Sequence, residues 1–260
     1  MTAGYLADDR TVLRIGGADA RGFLQGLVTN DIAGLEAGLV YAAILTPQGK
    51  YLYDFFLLAE GDAILLDVRA DCAATLVQRL AMYRLRAQVT IDATDLVVVV
   101  GLGALPGGAL ADPRHPALGW RVYAADAAPL LARIEPLDPA ALAAIRVAHL
   151  VPETGAELVA GESFILEMGF ERLNGVDFRK GCYVGQEVTA RMKHKTELRK
   201  GLAQVEIEGP HPGPDAEITA QGKTAGRLHT VVGTRALAYL RFDRAVGEMR
   251  AGEARLTRSG

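Results

Sequence analysis

The apolar positions along this chain change period several times, and each change marks an element. Thr11 to Ile15 reads as a strand that Gly16-Gly17 turns toward Asp19, an N-cap for a short helix over Ala20 to Leu27. From Val40 to Val68 three apolar runs, VYAAILT, KYLYDFFLLA and AILLDV, are broken at Pro47-Gln48-Gly49 and Glu60-Gly61-Asp62. That pattern predicts two consecutive hairpins and an antiparallel meander. Asp71 opens a helix through Tyr83, with Ala73, Leu76, Val77 and Leu80 at helical spacing on its apolar face. Cys72, in the first turn next to that face, reads as structural. Strands resume at Ala87 to Ile91, Asp95 to Val100 and Gly119 to Ala124. Two alanine-rich helical stretches follow, Ala127 to Ile134 and Pro139 to Leu150, the second capped by Asp138 with proline at its first position.

Residues 151–178 carry no sustained period, and a loop of this length in a compact domain points to function. Gly185 then breaks the chain before a helix in which Val188 and Met192 share a face. Beyond Lys200 five or so short strands, with turns at Pro210 to Pro214, Gln221-Gly222-Lys223 and Val232 to Thr234, predict a small antiparallel barrel or sandwich. The expected class is α+β. A bipartite region of antiparallel sheets and helices, two intertwined subdomains over 1–198, precedes a C-terminal β-barrel over 199–260, with the boundary between Lys195 and Gly201.

Half the residues are hydrophobic and the formal charge is only -3, which excludes a disordered chain or a general coat for nucleic acid. The apolar run LVVVVGLGAL is too short to span a membrane and ends at Pro106. The opening residues hold no basic region followed by a long apolar one, so a soluble, cytoplasmic protein is expected, with neither membrane nor nucleic acid as partner. The glycines of VVVVGLGALPGG resemble a dinucleotide-binding turn only superficially. Pro106 stands where the third glycine belongs, and Pro106-Gly107-Gly108 signals a turn rather than a helix start. The two cysteines and five scattered histidines show no recognisable ligand spacing, so no metal site is expected. A cluster shared between chains through Cys182 stays open.

The densest chemistry lies in RKGCYVGQEVTARMKH, from Arg179 to His194. Cys182 precedes a helix start and has Lys180 and Arg179 beside it, which predicts a thiol pKa below the unperturbed value of ~8.5. The plain alternative is a cysteine that only packs. Arg191, Lys193, Lys195, Arg199 and Lys200 surround the lone acid Glu197. This run is either a solvated face or an anion site beside Cys182, suited to a polycarboxylate tail or a phosphate. Thr29-Asn30-Asp31 is either an ordinary turn cap or part of a site.

The string Lys180, Gly181, Cys182, Tyr183, Val184, Gly185, Gln186, Glu187 resembles the signature of the YgfZ family, folate-binding relatives of the glycine cleavage T-protein that assist iron–sulfur cluster assembly or repair. The resemblance extends to GFLQGLVTND at Gly22 to Asp31, YAAILTPQGKYLYDF at Tyr41 to Phe55, FILEMGF at Phe164 to Phe170 and the closing strands. It implies a T-protein-like fold that binds tetrahydrofolate or another reduced folate. Glu167 matches the glutamate that pairs with the pterin, since a carboxylate accepts two parallel N–H bonds from an aminopyrimidine edge. Asn30, Asp31 and Tyr41 match a stretch near the folate pocket, and Arg191 would belong to the tail site.

Where T-proteins carry paired aspartates, this chain reads Tyr53-Asp54. Asp54 alone could be an ordinary strand residue facing solvent. Loss of one carboxylate argues against aminomethyl transfer, which needs a positioned acid or base. The resemblance therefore implies a folate-holding support factor for iron–sulfur proteins rather than a conventional enzyme, with iron–sulfur enzymes or assembly proteins as partners and tRNA modification among the processes supported. Cys182 is expected at the mouth of the folate cavity, with Lys180 and Asp54 as further candidates for chemistry. The thiol would act in redox exchange, hold a cluster transiently with a partner, or shape the pocket. Two other readings stay open: a folate-dependent one-carbon transferase, and a binding module without chemistry.

Overall fold

The computed structural model describes residues 2–194, 197–213 and 215–259; Lys195 and Pro214, named above in the basic run and in a turn, lie outside the described residues. The chain opens with β1 (Ala3–Leu6), β2 (Arg10–Gly16) and α1 (Ala20–Gln25), then forms the expected meander β3 (Val40–Leu45), β4 (Tyr51–Glu60) and β5 (Ala63–Arg69). Helix α2 (Ala70–Arg84) leads to β6 (Thr90–Ala93), β7 (Val97–Leu102), β8 (Leu110–Ala111) and β9 (Trp120–Ala124). Next come α3 (Ala128–Leu131), β10 (Glu135–Pro136), α4 (Pro139–Ala148) and, after a long passage of turns, α5 (Gln186–Lys193). The last part is all strand: β11 (Lys200–Glu208), β12 (Glu217–Ala220), β13 (Lys223–Val232), β14 (Arg235–Arg241), β15 (Met249–Ala251) and β16 (Ala254–Arg258).

These strands make two open sheets, ordered β3-β4-β5-β2-β6 and β10-β1-β7-β9-β8, and a closed six-stranded barrel, β11-β14-β13-β12-β15-β16. The α+β class and the C-terminal antiparallel barrel are as the sequence predicts. The chain passes between the open sheets twice, once from β1 to β2 through Ala7, Asp8 and Asp9, and once from β6 to β7. Backbone bonds pin both crossings, from Ala7 N–H to the Val98 carbonyl at 2.8 Å and from Thr94 N–H to the Val12 carbonyl at 3.1 Å.

Side-chain alternation divides the first sheet between two interiors. Val40, Ala42 and Ile44 of β3, Phe55 and Leu57 of β4, and Leu66 and Val68 of β5 pack beneath the helices with Leu24, Leu76 and Leu80. The opposite face sends Tyr41, Ala43 and Phe56 into a second core, which Val151, Leu158, Ile165, Met168, Phe170 and Leu173 of the long passage complete. That passage therefore folds by burial, without a regular ladder of its own. It joins the barrel through the bond from Leu202 N–H to the Glu167 carbonyl, 2.8 Å.

The helix expected over Ala127 to Ile134 forms only as the single turn α3. The chain extends beyond it, so that Ile134 packs with Trp120 and Glu135-Pro136 lie parallel to β1. Tertiary packing overrides the alanine-rich propensity there.

Candidate functional site

Registered pairs across the meander set Tyr41 opposite Phe56 and Phe56 opposite Asp67, all on the face turned away from α1 and α2. Nearby lies a cavity of about 550 Å³, walled by the β1–β2 crossing (Tyr5 to Arg10), by Asp54, Phe56 and Arg69, by Asp112, Arg114 and Arg121, and by α4 with Glu153 and Thr154. Asp54 thus faces the interior rather than solvent. Its carboxylate accepts from the hydroxyls of Tyr41 at 2.9 Å, Tyr51 at 2.8 Å and Thr154. Burial, and then the charge of Asp54, push the Tyr41 phenol well above its ordinary pKa, so it remains a donor.

Three guanidinium groups surround the buried ring of Phe56, with Arg121 at 3.9 Å, Arg114 at 4.8 Å and Arg10 at 5.9 Å from its centroid. Their counterions are buried carboxylates. Asp67 accepts from Arg10 at 2.6 Å, Arg121 at 3.0 Å and Tyr123 at 2.9 Å, and Asp112 takes a two-pronged bond from Arg114. Burial alone would raise the Asp112 pKa, but the charge and hydrogen bonds of Arg114 outweigh it and hold the carboxyl below its usual range. The Nε of Arg121 is buried without a hydrogen bond, 3.7 Å from Asp112. Such an orphaned donor costs about 1–3 kcal/mol unless a water or ligand satisfies it.

Of the residues singled out in the sequence, the structure brings Asp54 and Tyr41 together here and leaves the others elsewhere. Asn30 and Asp31 line a separate opening of about 300 Å³ with Tyr41, which stands between that opening and Asp54. Asn30 donates to the carbonyls of Tyr41 and Asn174, and Asp31 caps Ala33, so both act as turn residues in the structure. Glu167 does not line the cavity; it accepts from the Tyr239 hydroxyl of the barrel at 2.6 Å. Arg191 is exposed on α5, away from the cavity lining.

Cys182 is exposed and does not line the cavity either, contrary to its expected place at the mouth. Gln186 begins α5 four residues beyond it, and a helix dipole fades within one turn. Lys180 turns the other way. Its buried ammonium donates to the Gln25 carbonyl at 2.7 Å and the Val28 carbonyl at 2.5 Å, which closes the end of α1. Burial pushes Lys180 down to about 8, partly opposed by Asp31 and Asp177. Glu187 is exposed and Gln186 half-buried, while Gly181, Tyr183 and Gly185 shape the loop.

The motif docks on the first hairpin. Gly185 adopts φ +85, and a methyl group there would lie 2.6 Å from the Thr46 carbonyl oxygen. The sequence marked the motif as chemistry, whereas most of its residues hold a loop in place.

The residues of this candidate site that sequence reading missed are Arg10, Phe56, Asp67, Asp112, Arg114 and Arg121. They come from five separate strands or loops and form no local motif. Strand alternation at Phe56 and Asp67 was the one available signal. Among the described residues no group of three or more His, Cys, Asp or Glu side chains could hold a metal ion, and no helix is long and apolar enough to cross a membrane.

The whole chain superposes on the glycine cleavage system aminomethyltransferase T of Bartonella henselae with a TM-score of 0.81, covering 85% of that chain at 14% identity. This defines the class: an aminomethyltransferase T-like fold with a closed barrel at its carboxyl end. Residues 199–259 match the family described as CAF17, C-terminal beta-barrel domain. The chain is 34% identical to the human iron-sulfur cluster assembly factor IBA57, mitochondrial, and 32% identical to its mouse counterpart, each alignment covering 94% of this chain and 79% of the relative. A Neurospora crassa homologue is 31% identical over 82% of this chain and 55% of its own length. The chain belongs to the IBA57 family of iron–sulfur cluster assembly factors. These names also correct the cytoplasmic expectation, because the matched relatives are named mitochondrial. An amino-terminal pattern alone does not report the compartment in which a folded chain works.

Proposed function

We propose that this chain is a YgfZ-like support factor for the assembly or repair of iron–sulfur proteins that holds tetrahydrofolate or another reduced folate in the cleft beside Asp54. The observation that carries the reading is the pairing of opposite polar characters within one cavity of about 550 Å³. Three hydroxyls occupy part of the acceptor capacity of Asp54 and leave room for a further N–H donor, as on an aminopyrimidine edge. Arg10, Arg114 and Arg121 each keep guanidinium N–H groups that their carboxylates do not use, suited to a dicarboxylate tail. The volume falls within the usual range for small-ligand sites. A reduced folate would supply one-carbon carriage or reducing equivalents there, and the protein residues bind and orient it.

The exposure of Cys182, off the cleft, supports a meeting with an iron–sulfur enzyme or assembly protein rather than with the pterin. Redox exchange and transient cluster holding both suit that position. The inward-facing Asp54 favours a second reading, a folate-dependent one-carbon transferase, over a binding module without chemistry.

Calorimetric titration with tetrahydrofolate tests the cleft. Asp54→Asn and Arg114→Ala are expected to weaken binding about tenfold each, the scale of one lost charged hydrogen bond. Glu167→Ala is expected to leave it unchanged. Full affinity in both cleft variants, or a loss confined to Glu167→Ala, would move the pterin elsewhere. Complementation with Cys182→Ser, scored separately through cluster enzymes and through glycine cleavage, distinguishes the support role from the transferase.

A further inference from the structure

The end of α2 carries a surface that neither the cleft nor the cysteine loop uses. Met82 is 59% exposed and Leu85 is 89% exposed, although both lie in a chain whose other large apolar side chains are mostly buried. Leu85 caps the helix at φ 40, a left-handed conformation that a bulky residue rarely adopts, and it holds its side chain out in solvent. Arg79 precedes Met82 by three residues on one helix face, and Arg84 and Arg86 flank Leu85. Arg69 and Arg114 pair with Asp71 and Asp112, but Arg79, Arg84 and Arg86 have no ion pair or side-chain hydrogen bond among the described residues.

The sequence around them is one-sided. The chain has 31 acidic residues, yet the stretch from Cys72 to Ile91 contains none. Arginines in a last helical turn complement the helix dipole, which accounts for Arg84. The dipole does not explain two exposed apolar side chains or Arg86 beyond the helix end.

We infer that the carboxyl end of α2, with Met82 and Leu85 among Arg79, Arg84 and Arg86, is a docking surface for an acidic protein partner. Charge complementarity selects the occupant. Every cation in the patch is arginine, whose planar fork pairs with carboxylates in two-pronged fashion, and arginine and methionine are enriched where proteins meet. Two exposed apolar side chains with arginines before, between and after them along the chain suit a carboxylate-bearing helix with one or two apolar residues. A membrane surface would call for a longer amphipathic face than these few residues provide. None of these side chains lines the cavity, so the inference stands independently of the folate reading.

The test uses the whole protein and a fluorescein-labelled amphipathic peptide of repeating Leu-Glu-Glu-Leu, with a lysine-for-glutamate version as control. Wild type is expected to bind the acidic peptide at least about tenfold more tightly than the control, with affinity falling as salt rises. Arg79→Glu with Arg86→Glu should lower that affinity by about tenfold, and Met82→Ser with Leu85→Ser by severalfold, while Tm and tetrahydrofolate titration match wild type. Equal binding of the two peptides, or charge reversal without effect, overturns the inference. Patch-dependent sedimentation with phosphatidylserine vesicles and no binding of the acidic peptide would overturn it in favour of a lipid surface.

Discussion

Gly185 packs its α-carbon region against Gly49, so closely that a methyl group on Gly185 would stand 3.1 Å from the Gly49 α-carbon and 2.6 Å from the Thr46 carbonyl oxygen. Both glycines have positive φ, and Val188 presses on Gly49 from the start of α5. The cysteine loop is therefore seated on the β3–β4 turn by backbone shape. Gly185→Ala is expected to lose about 2 kcal/mol or more, because it adds the left-handed penalty to a backbone clash. Urea unfolding checks this, and a variant as stable as wild type would show that the seat tolerates a side chain.

Asp67 is the shared counterion of Arg10 and Arg121, and its side chain is fully buried. Asp67→Ala would leave two buried guanidiniums without their acceptor, a defect that costs roughly 3–5 kcal/mol. Thermal and denaturant unfolding should show the loss together with a weakened cleft. A change below about 1 kcal/mol would mean that water already screens the pair.

Lys180 gives a pH signature. Burial pushes its ammonium down to about 8 in the folded protein, from an ordinary value of 10.5. Between those values the unfolded chain holds a proton that the folded chain has released, so stability rises with pH across that window. Relative to Lys180→Met, wild type should gain stability from about pH 8 to 10.5, and parallel curves would contradict the assignment. At neutral pH the same variant is expected to lose about 2 kcal/mol, since the Gln25 and Val28 carbonyls lose a charged donor.

The two thiols should separate in alkylation kinetics. Burial, followed by a hydrogen bond to Asp71, pushes the Cys72 thiol up to about 11, so only about one part in a thousand is thiolate at pH 8. Cys182 is exposed and should label first with iodoacetamide. Mass spectrometry of partly labelled protein reads the order, and equal rates would show that exposure gives Cys182 no reactivity beyond that of Cys72.

Local pattern carried the meander, α2, α4, α5 and the strand-rich carboxyl end, because each rests on a period or a cap within a few residues. It did not carry β1 and β10, which are short and exist by pairing across the chain. The candidate site shows the same division. Asp54 and Tyr41 were visible beside a hairpin, but their contact depends on the register of β3 against β4. Arg114 and Arg121 reach Phe56 from a different sheet and loop, and nothing in the order of residues announces that meeting. Lys180 departs from the sequence expectation for a physical reason: two residues before Cys182 in sequence, it points its ammonium away from the thiol, at the end of α1.

The double passage of the chain between its two sheets also sets a timetable for synthesis. The cleft draws on the strap from Tyr5 to Arg10 at one extreme and on Thr154 at the other, so a nascent chain has no complete binding chamber until well over half of it has left the ribosome. Early-emerging Arg10 and Asp67 can pair with each other as soon as β5 lies against β2, but Arg121 and its second carboxylate, Asp112, join them only later, so the charge cluster beside Phe56 is a product of late assembly.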